Sequence, residues 1–176
     1  MGISRRLRWF VQMPCEIPKI LNDLGRFLVP AVCFGCNATL YGGEQHLCVF
    51  CRNELPLTDF SFGRENRADR MLMGRAAFQK AVSMLWYHEG GLAQKLIHRL
   101  KYRRQEQLGG FLGRWYGSLL RADAALPTVD WVLPVPLHPR KKRRRGYNQC
   151  SLFGREIAKS LGASFSEHLL VRHRYG

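Results

Sequence analysis

A chain of 176 residues has room for one ordinary domain, or for a small module joined to a modest one. Its hydrophobic fraction of 46% excludes the composition of disordered proteins, which bury too little apolar surface to offset the entropy of ordering. With 28 Lys and Arg against 13 Asp and Glu, the formal net charge of +15 favours a phosphate-bearing partner. A basic surface without a polyanionic ligand is the alternative interpretation.

The first segment, residues 1–30, is predicted as an amphipathic helical segment broken at Pro14 and Pro18. Packing of these helices on the rest of the protein is one interpretation, and binding to a membrane surface is the other. The prolines and charges interrupt every apolar stretch before it reaches the roughly 20 residues that a membrane span needs. We therefore expect a cytoplasmic protein without a membrane span.

Residues 31–60 carry two C-x-x-C pairs separated by eleven residues. Each pair can place two thiolates on one side of a tetrahedral Zn²⁺ ion, with Zn–S distances of about 2.3 Å. Two such pairs favour zinc over a redox pair or disulfides, and four thiolates leave no open coordination position, so the predicted role is structural. The predicted ligands are Cys33, Cys36, Cys48 and Cys51. His46 is a spare candidate, with an ordinary surface histidine as the alternative.

The middle of the chain changes from polar to periodic sequence. Residues 61–76 are polar and are predicted as a linker at a domain boundary, so that the second domain covers residues 77–176. Within it, residues 81–87 are mostly apolar and predict a strand. Helical spacing of apolar residues then predicts a helix over 92–104 and a second helix over 106–121.

Residues 131–136, Trp-Val-Leu-Pro-Val-Pro, predict a short buried parallel strand that ends at its prolines. A loop with six consecutive cations, 140–145, follows. An amphipathic helix then runs from residue 149 to about 161 and is closed by Gly162. Strand, helix, helix, strand, loop and helix in this order predict the beginning of an α/β domain.

The cationic loop is predicted to bind phosphate. In open α/β sheets, ligands lie beyond the carboxyl ends of the strands, beside the N-termini of the helices that follow. Arg side chains offer forked donors to phosphate oxygens, and Gly146 lets the backbone approach closely. A solvated basic tract is one alternative. A nucleic-acid surface, on which nearby aromatic side chains stack bases, is another.

Taken in order, these motifs resemble the ComF family of competence-associated, phosphoribosyltransferase-like proteins. The residues that carry the resemblance are the segment 27–36, Cys48–Cys51, the segment 97–102 (Ile-His-Arg-Leu-Lys-Tyr), the segment 134–138 (Pro-Val-Pro-Leu-His) and the segment 145–149 (Arg-Gly-Tyr-Asn-Gln). The resemblance covers the chain from about residue 24 to its end. It implies a zinc-ribbon followed by a type I phosphoribosyltransferase fold, with a role in natural transformation.

The resemblance also implies a site for phosphoribosyl pyrophosphate or a nucleotide-like phosphate. The residues carried over to it are Lys101, Tyr102, His138, Arg140, Arg145, Asn148 and Gln149. No catalytic residue is assigned. The implied partners are single-stranded DNA and a competence helicase or another DNA-processing protein.

One departure from the family pattern limits the activity that we expect. Type I phosphoribosyltransferases hold the ribose 5-phosphate with two acidic residues and a Thr-rich turn at a helix N-terminus, and these 176 residues contain no such segment. We therefore expect a phosphoribosyltransferase-like domain lacking its C-terminal part, with weak or no transferase activity, and Mg²⁺ is implied only for full-length relatives. The alternative hypothesis is a non-catalytic zinc-ribbon adaptor that binds single-stranded DNA or a competence protein. A fragment that cannot complete its fold and has no activity is the third.

Overall fold

The computed structural model describes residues 30–102 and 105–174. The chain divides into two units, Met1–Ala31 and Val32–Gly176, and the described residues fall almost entirely in the second. The helical segment predicted over residues 1–30 therefore lies outside the described residues, apart from Pro30. Within the described part, no helix is both long and apolar enough to cross a membrane.

The cysteine-rich segment folds as two turns, one around each C-x-x-C pair. An antiparallel bridge joins Val32 to Thr39 around the first pair, and the chain reverses at Gly42 and Gly43, which have positive φ angles of 55° and 84°. Such angles suit glycine, because it has no Cβ atom to clash with the backbone. The second pair leads into a short helix, α1 (Val49–Asn53).

The segment predicted as a linker, residues 61–76, contains a helix, α2 (Arg67–Leu72). A capping box starts this helix. The Asn66 side chain accepts hydrogen bonds from the backbone N–H groups of Ala68 and Asp69 at 2.8 and 3.1 Å, and the Asp69 carboxylate accepts from the Asn66 N–H at 3.0 Å. These reciprocal bonds satisfy the free donors at a helix start, and they explain how so polar a segment is ordered.

The strand predicted over residues 81–87 forms only one isolated bridge, between Leu57 and Leu85. Two backbone hydrogen bonds flank the bridge, from Thr58 N–H to the Met84 oxygen at 3.0 Å and from Trp86 N–H to the Pro56 oxygen at 2.8 Å. Pro56 has no N–H group to return a bond. The ladder therefore stays short, and the prediction of a full strand is wrong.

Two of the predicted helices appear close to their expected bounds, as α3 (Leu92–Tyr102) and α4 (Glu106–Ala122). Leu96 of α3 and Leu108 of α4 are fully buried. They belong to the same core cluster as Cys33 and Leu47 of the cysteine-rich segment. The cysteine-rich segment and the helices thus share one hydrophobic core.

The remaining elements are β1 (Trp131–Val132), α5 (Pro139–Arg145), α6 (Gln149–Leu161) and β2 (Ser164–Phe165). The two strands are parallel, with Trp131 opposite Ser164 and Val132 opposite Phe165. The parallel pairing predicted for this region is confirmed. The burial predicted for residues 131–136 is not confirmed, because Trp131 is 52% exposed and Val135 is 67% exposed. Pro134 and Pro136 lack the N–H groups that would extend the pairing.

The six cations form helix α5, so the loop predicted at residues 140–145 is wrong. His138 is the N-cap, and its Nδ1 accepts a hydrogen bond from the Arg140 N–H at 3.2 Å. Pro139 occupies the first turn, where its missing N–H costs nothing, and Gly146 ends the helix with φ of 85°. Lys and Arg are good helix formers, so a cap at each end suffices for this short helix.

Helix α4 packs on α6 through a face of small residues. A Cβ atom on Gly113 would lie 2.5 Å from the Phe153 backbone oxygen, and one on Gly117 would lie 2.6 Å from Ser160 Oγ. Only glycine allows the two helix backbones to approach this closely. The described architecture is therefore a mixed, mainly helical structure with a small parallel sheet and a cysteine cluster. The type I phosphoribosyltransferase-like fold stays a prediction.

Candidate functional site

The four predicted metal ligands lie together. The Sγ atoms of Cys33, Cys36, Cys48 and Cys51 all lie within 4.8 Å of one another. The Cys36 and Cys48 Sγ atoms are 3.7 Å apart. Tetrahedral bonds of about 2.3 Å place sulfur ligands about 3.8 Å apart, so the four sulfur atoms lie close to the spacing that a single metal ion requires.

Backbone groups favour the thiolate form that binds metal. The N–H groups of Gly35 and Cys48 both donate to Cys33 Sγ at 3.3 Å. Burial raises the pKa of Cys33, but these donors outweigh it and lower that pKa to about 6. Burial raises the pKa of Cys51, and the neighbouring thiols raise it further. Four thiolates this close repel one another unless a cation lies between them.

Gly35 is needed beside the cluster for a steric reason. A Cβ atom at this position would lie 2.6 Å from Cys51 Sγ and 2.9 Å from Leu92 Cδ1. The first turn therefore touches both the second cysteine pair and helix α3.

Glu44 fixes the loop between the two cysteine pairs. One carboxylate oxygen accepts from the Tyr41 N–H at 2.9 Å, and the other accepts from the Val49 N–H at 2.7 Å. These two donors lower the pKa of Glu44. The bonds hold the start of α1 against the loop, and the side chain of Phe50 remains 82% exposed there.

His46 lies outside the cysteine cluster and is half-buried. Its ring stacks on Phe34, with centroids 5.4 Å apart, and meets the edge of Phe111 at 5.6 Å. Burial lowers the pKa of His46, and the positive charge of Arg114 lowers it further. His46 thus joins the cysteine-rich segment to helix α4.

We call the cysteine-rich segment, residues 31–60, the ribbon. A groove lies between the ribbon and α4, and we call it the ribbon groove. It is lined by Gln45, Arg52, Phe111, Arg114 and Trp115, and its volume is about 490 Å³. No motif in the sequence indicates this groove. The apolar spacing of α4 places Phe111 and Trp115 on the inner face of the helix, whereas both are only half-buried.

Helix α5 presents most of its cations to solvent. Arg140, Lys142, Arg143 and Arg144 are exposed. The Lys142 ammonium lies 3.4 Å from the Glu167 carboxylate. The helix is therefore a concentrated positive surface, with Glu167 beside Lys142.

Three of the residues predicted to bind phosphate hold the local structure together. Asn148 is buried, and its Oδ1 accepts from the Cys150 N–H at 3.1 Å while its Nδ2 donates to the Val135 oxygen at 2.9 Å. Arg145 Nη1 donates to Gln149 Oε1 at 3.0 Å. The structure thus brings Arg145, Asn148 and Gln149 together at the start of α6. Binding of phosphate by these residues stays a prediction.

Tyr147 connects this region to the end of α3. Its hydroxyl donates a hydrogen bond to the backbone oxygen of Leu100. The exposed Lys101 follows directly, so the end of α3 lies beside the start of α6. Tyr102 closes α3, and its side chain lies outside the described residues. No local pattern in the sequence indicates this bond, because its two partners lie 47 positions apart.

A small cavity of about 260 Å³ lies at the N-terminus of α6. Lys142 and Arg155 line it, together with the carboxylates of Glu106 and Glu167. Both carboxylates repel an anion, and Glu167 also lies 3.5 Å from the Arg155 guanidinium. The cavity therefore has mixed charge.

Several curated proteins are similar to this chain. The DNA utilization protein YhgH of Salmonella typhimurium is 30% identical over 161 residues, which cover 83% of this chain and 68% of the relative. Proteins of the same name from Salmonella typhi and Escherichia coli K12 are 26% and 25% identical, with the same shares covered. No protein-family model matches the chain. No solved structure matches it.

Proposed function

The chain belongs to the family of the DNA utilization protein YhgH, and from that premise we propose that it acts in the use of DNA by binding single-stranded DNA through helix α5. The observation that carries this proposal is the row of exposed cations on α5. Each cation that contacts a phosphate releases condensed counterions, which gives sequence-independent affinity. The net charge of +15 adds long-range attraction of the strand.

In this proposal the cysteine cluster is a structural Zn²⁺ site. The donor set consists of four sulfur atoms within 4.8 Å of one another, and four cysteine ligands are a usual environment of structural zinc. Four ligands leave no coordination position for substrate. The ion would therefore hold the ribbon in shape, and DNA contacts would come from side chains outside the cluster.

A second candidate function is binding of phosphoribosyl pyrophosphate or a nucleotide-like phosphate at the start of α6. It is supported by the parallel pair β1 and β2 with α6 between them, since phosphates bind beside the N-terminus of the helix in such units. The mixed charge of the cavity there favours weak binding. We expect little pyrophosphate release when this chain is incubated with phosphoribosyl pyrophosphate and Mg²⁺. Turnover at ordinary enzyme rates would contradict that expectation.

The test of DNA binding compares two triple variants by fluorescence anisotropy of a labelled single-stranded oligonucleotide. The first variant replaces Arg140, Arg143 and Arg144 by Gln. The matched control replaces Arg64, Arg67 and Arg75 by Gln; these residues are also exposed and lie around α2. Each removes three charges from the formal +15.

We expect the α5 variant to bind at least about tenfold more weakly at low salt, with the slope of log affinity against log salt reduced by about 2. The control should keep most of the affinity, because it changes only the overall charge. Equal losses in the two variants would assign binding to net charge rather than to α5. Affinity that does not depend on salt would contradict the proposal.

A further inference from the structure

We propose that the ribbon groove binds one unpaired nucleobase and its phosphate. This rests on the proposed function, since a single strand must reach the protein, but it concerns a surface other than α5. The groove combines two half-buried rings, two guanidinium groups and one amide side chain. Each of these matches one part of a nucleotide.

The rings offer a place to stack a base. Phe111 and Trp115 meet edge to face, with centroids 6.0 Å apart and 70° between their planes. Two neighbouring rings at this angle form a corner, in which a flat base can lie on one ring and touch the edge of the other. Stacking on an exposed aromatic ring suits any base, because every base has a π-face.

Two cations, Arg52 and Arg114, lie beside the rings and offer donors to the phosphate of a stacked base. The Arg52 guanidinium lies over the face of the Phe111 ring, with its carbon 5.2 Å from the ring centre, so a base would stack on Trp115 and touch Phe111 from the side. Arg114 lies 3.7 Å from the Glu156 carboxylate, too far for a hydrogen bond, so this ion pair does not use its donors. None of the five lining residues carries a carboxylate, in contrast to the cavity at the start of α6.

The remaining lining residue and the size of the groove also suit a base. Gln45 is exposed, and its amide offers both a donor and an acceptor to the edge of a base. The volume of about 490 Å³ falls in the range of about 300–1,000 Å³ that is usual for small-ligand sites.

The groove is rigid because both of its walls are fixed. On one side, the cysteine cluster and the stack of His46 on Phe34 hold the ribbon. On the other side, Phe111 belongs to the long helix α4, and the Phe111 ring also contacts His46. A preformed site loses little conformational freedom on binding. An aromatic side chain of a protein partner would also fit between the rings, but the two guanidinium groups favour a ligand that carries phosphate.

The experiment compares two fluorescent single strands of equal length, oligothymidine and an abasic strand with the same phosphates. We expect the wild-type protein to bind oligothymidine about tenfold more tightly. Trp115→Leu should lose this preference while keeping its affinity for the abasic strand. Trp115→Phe, which keeps a ring, should restore the preference and so show that Trp115→Leu acts through stacking.

Trp131→Leu is the matched control, because Trp131 is half-exposed on β1 and does not line the groove; it should keep the preference. The α5 triple variant should weaken binding of both strands equally.

Equal wild-type affinity for the two strands would overturn the proposal that the ribbon groove binds a base, and so would a preference that survives in Trp115→Leu. Either result would leave the α5 proposal intact. Displacement of oligothymidine by an aromatic peptide without any preference for base-bearing DNA would assign the groove to a protein partner. Failure of both strands to bind would overturn both proposals.

Discussion

The Lys80 ammonium lies 2.6 Å from the Asp69 carboxylate, and the two side chains are only 13% and 10% exposed. Asp69 also accepts hydrogen bonds from the N–H groups of Asn66 and Ala81. One carboxylate therefore fastens the start of α2 to the segment that leads towards α3. These partners, Lys80 first, lower the pKa of Asp69.

We predict that Asp69→Asn lowers the melting temperature by several degrees at pH 7. The lowered pKa means that the folded state binds the Asp69 proton more weakly than the unfolded state does, so ionisation stabilises the fold above about pH 3.9. That contribution is lost as pH falls through the lowered pKa. The difference between the variant and the wild type should therefore shrink in acid, as measured by thermal unfolding at stepped pH.

The control for this prediction is Glu65→Gln. Glu65 lies 3.6 Å from Arg70, and both side chains are mostly exposed, so their ion pair should contribute little. A constant difference between Asp69→Asn and wild type at every pH would show that the effect does not come from ionisation.

Gly113→Ala should destabilise the protein, although alanine is the better helix former. The gain in helix propensity is about 1 kcal/mol. Against it stands a Cβ atom 2.5 Å from the Phe153 backbone oxygen, which forces α4 and α6 apart, and such overpacking costs about 1–3 kcal/mol. Urea unfolding should show a net loss. Ser118→Ala, on the exposed face of α4, is the control and should change stability little.

The cysteine cluster predicts one tightly held Zn²⁺ ion per chain. Cys36→Ser should weaken metal binding at least about tenfold, because it removes a direct ligand. Cys150→Ser should leave binding unchanged, since Cys150 lies outside the cluster. Metal content after purification and competition with a chromogenic chelator measure both. Full zinc retention in Cys36→Ser would contradict a four-sulfur site.

Tyr147→Phe removes the hydrogen bond to the Leu100 oxygen and should cost about 1 kcal/mol of stability. The ring is kept, so packing changes little. The loss of this bond should also increase the hydrogen-exchange rate of the amides at the end of α3. Unchanged exchange there would mean that this bond does not hold α3 to the start of α6.

Local signals in the sequence were enough to predict part of this structure. The paired cysteines identify their own cluster, because each C-x-x-C needs only one turn to bring two sulfur atoms together. Helix α6 was predicted from a repeated apolar spacing and a glycine just past its end. Its length made the pattern unambiguous.

The helices that the sequence did not predict are short, and whether they form depends on a few hydrogen bonds. Helix α2 depends on the reciprocal caps of Asn66 and Asp69, which an apolar pattern does not reveal. Helix α5 has no apolar residue except Pro139, so its caps alone decide its state. The ribbon groove was missed for another reason. Gln45 and Trp115 are 70 positions apart in sequence, and only the packing of the ribbon on α4 brings them together.

The shared core has a consequence for how this protein can be divided. Leu96 and Leu108 are covered in part by the ribbon, and Leu47 reaches into the same cluster from the other side of the predicted boundary at 61–76. A shortened protein starting at residue 77 would leave fully buried leucines facing water, and it should be recovered mostly as aggregate. The cysteine segment is thus not an interchangeable attachment. Any transfer of it to another protein would have to carry the matching helical surface as well.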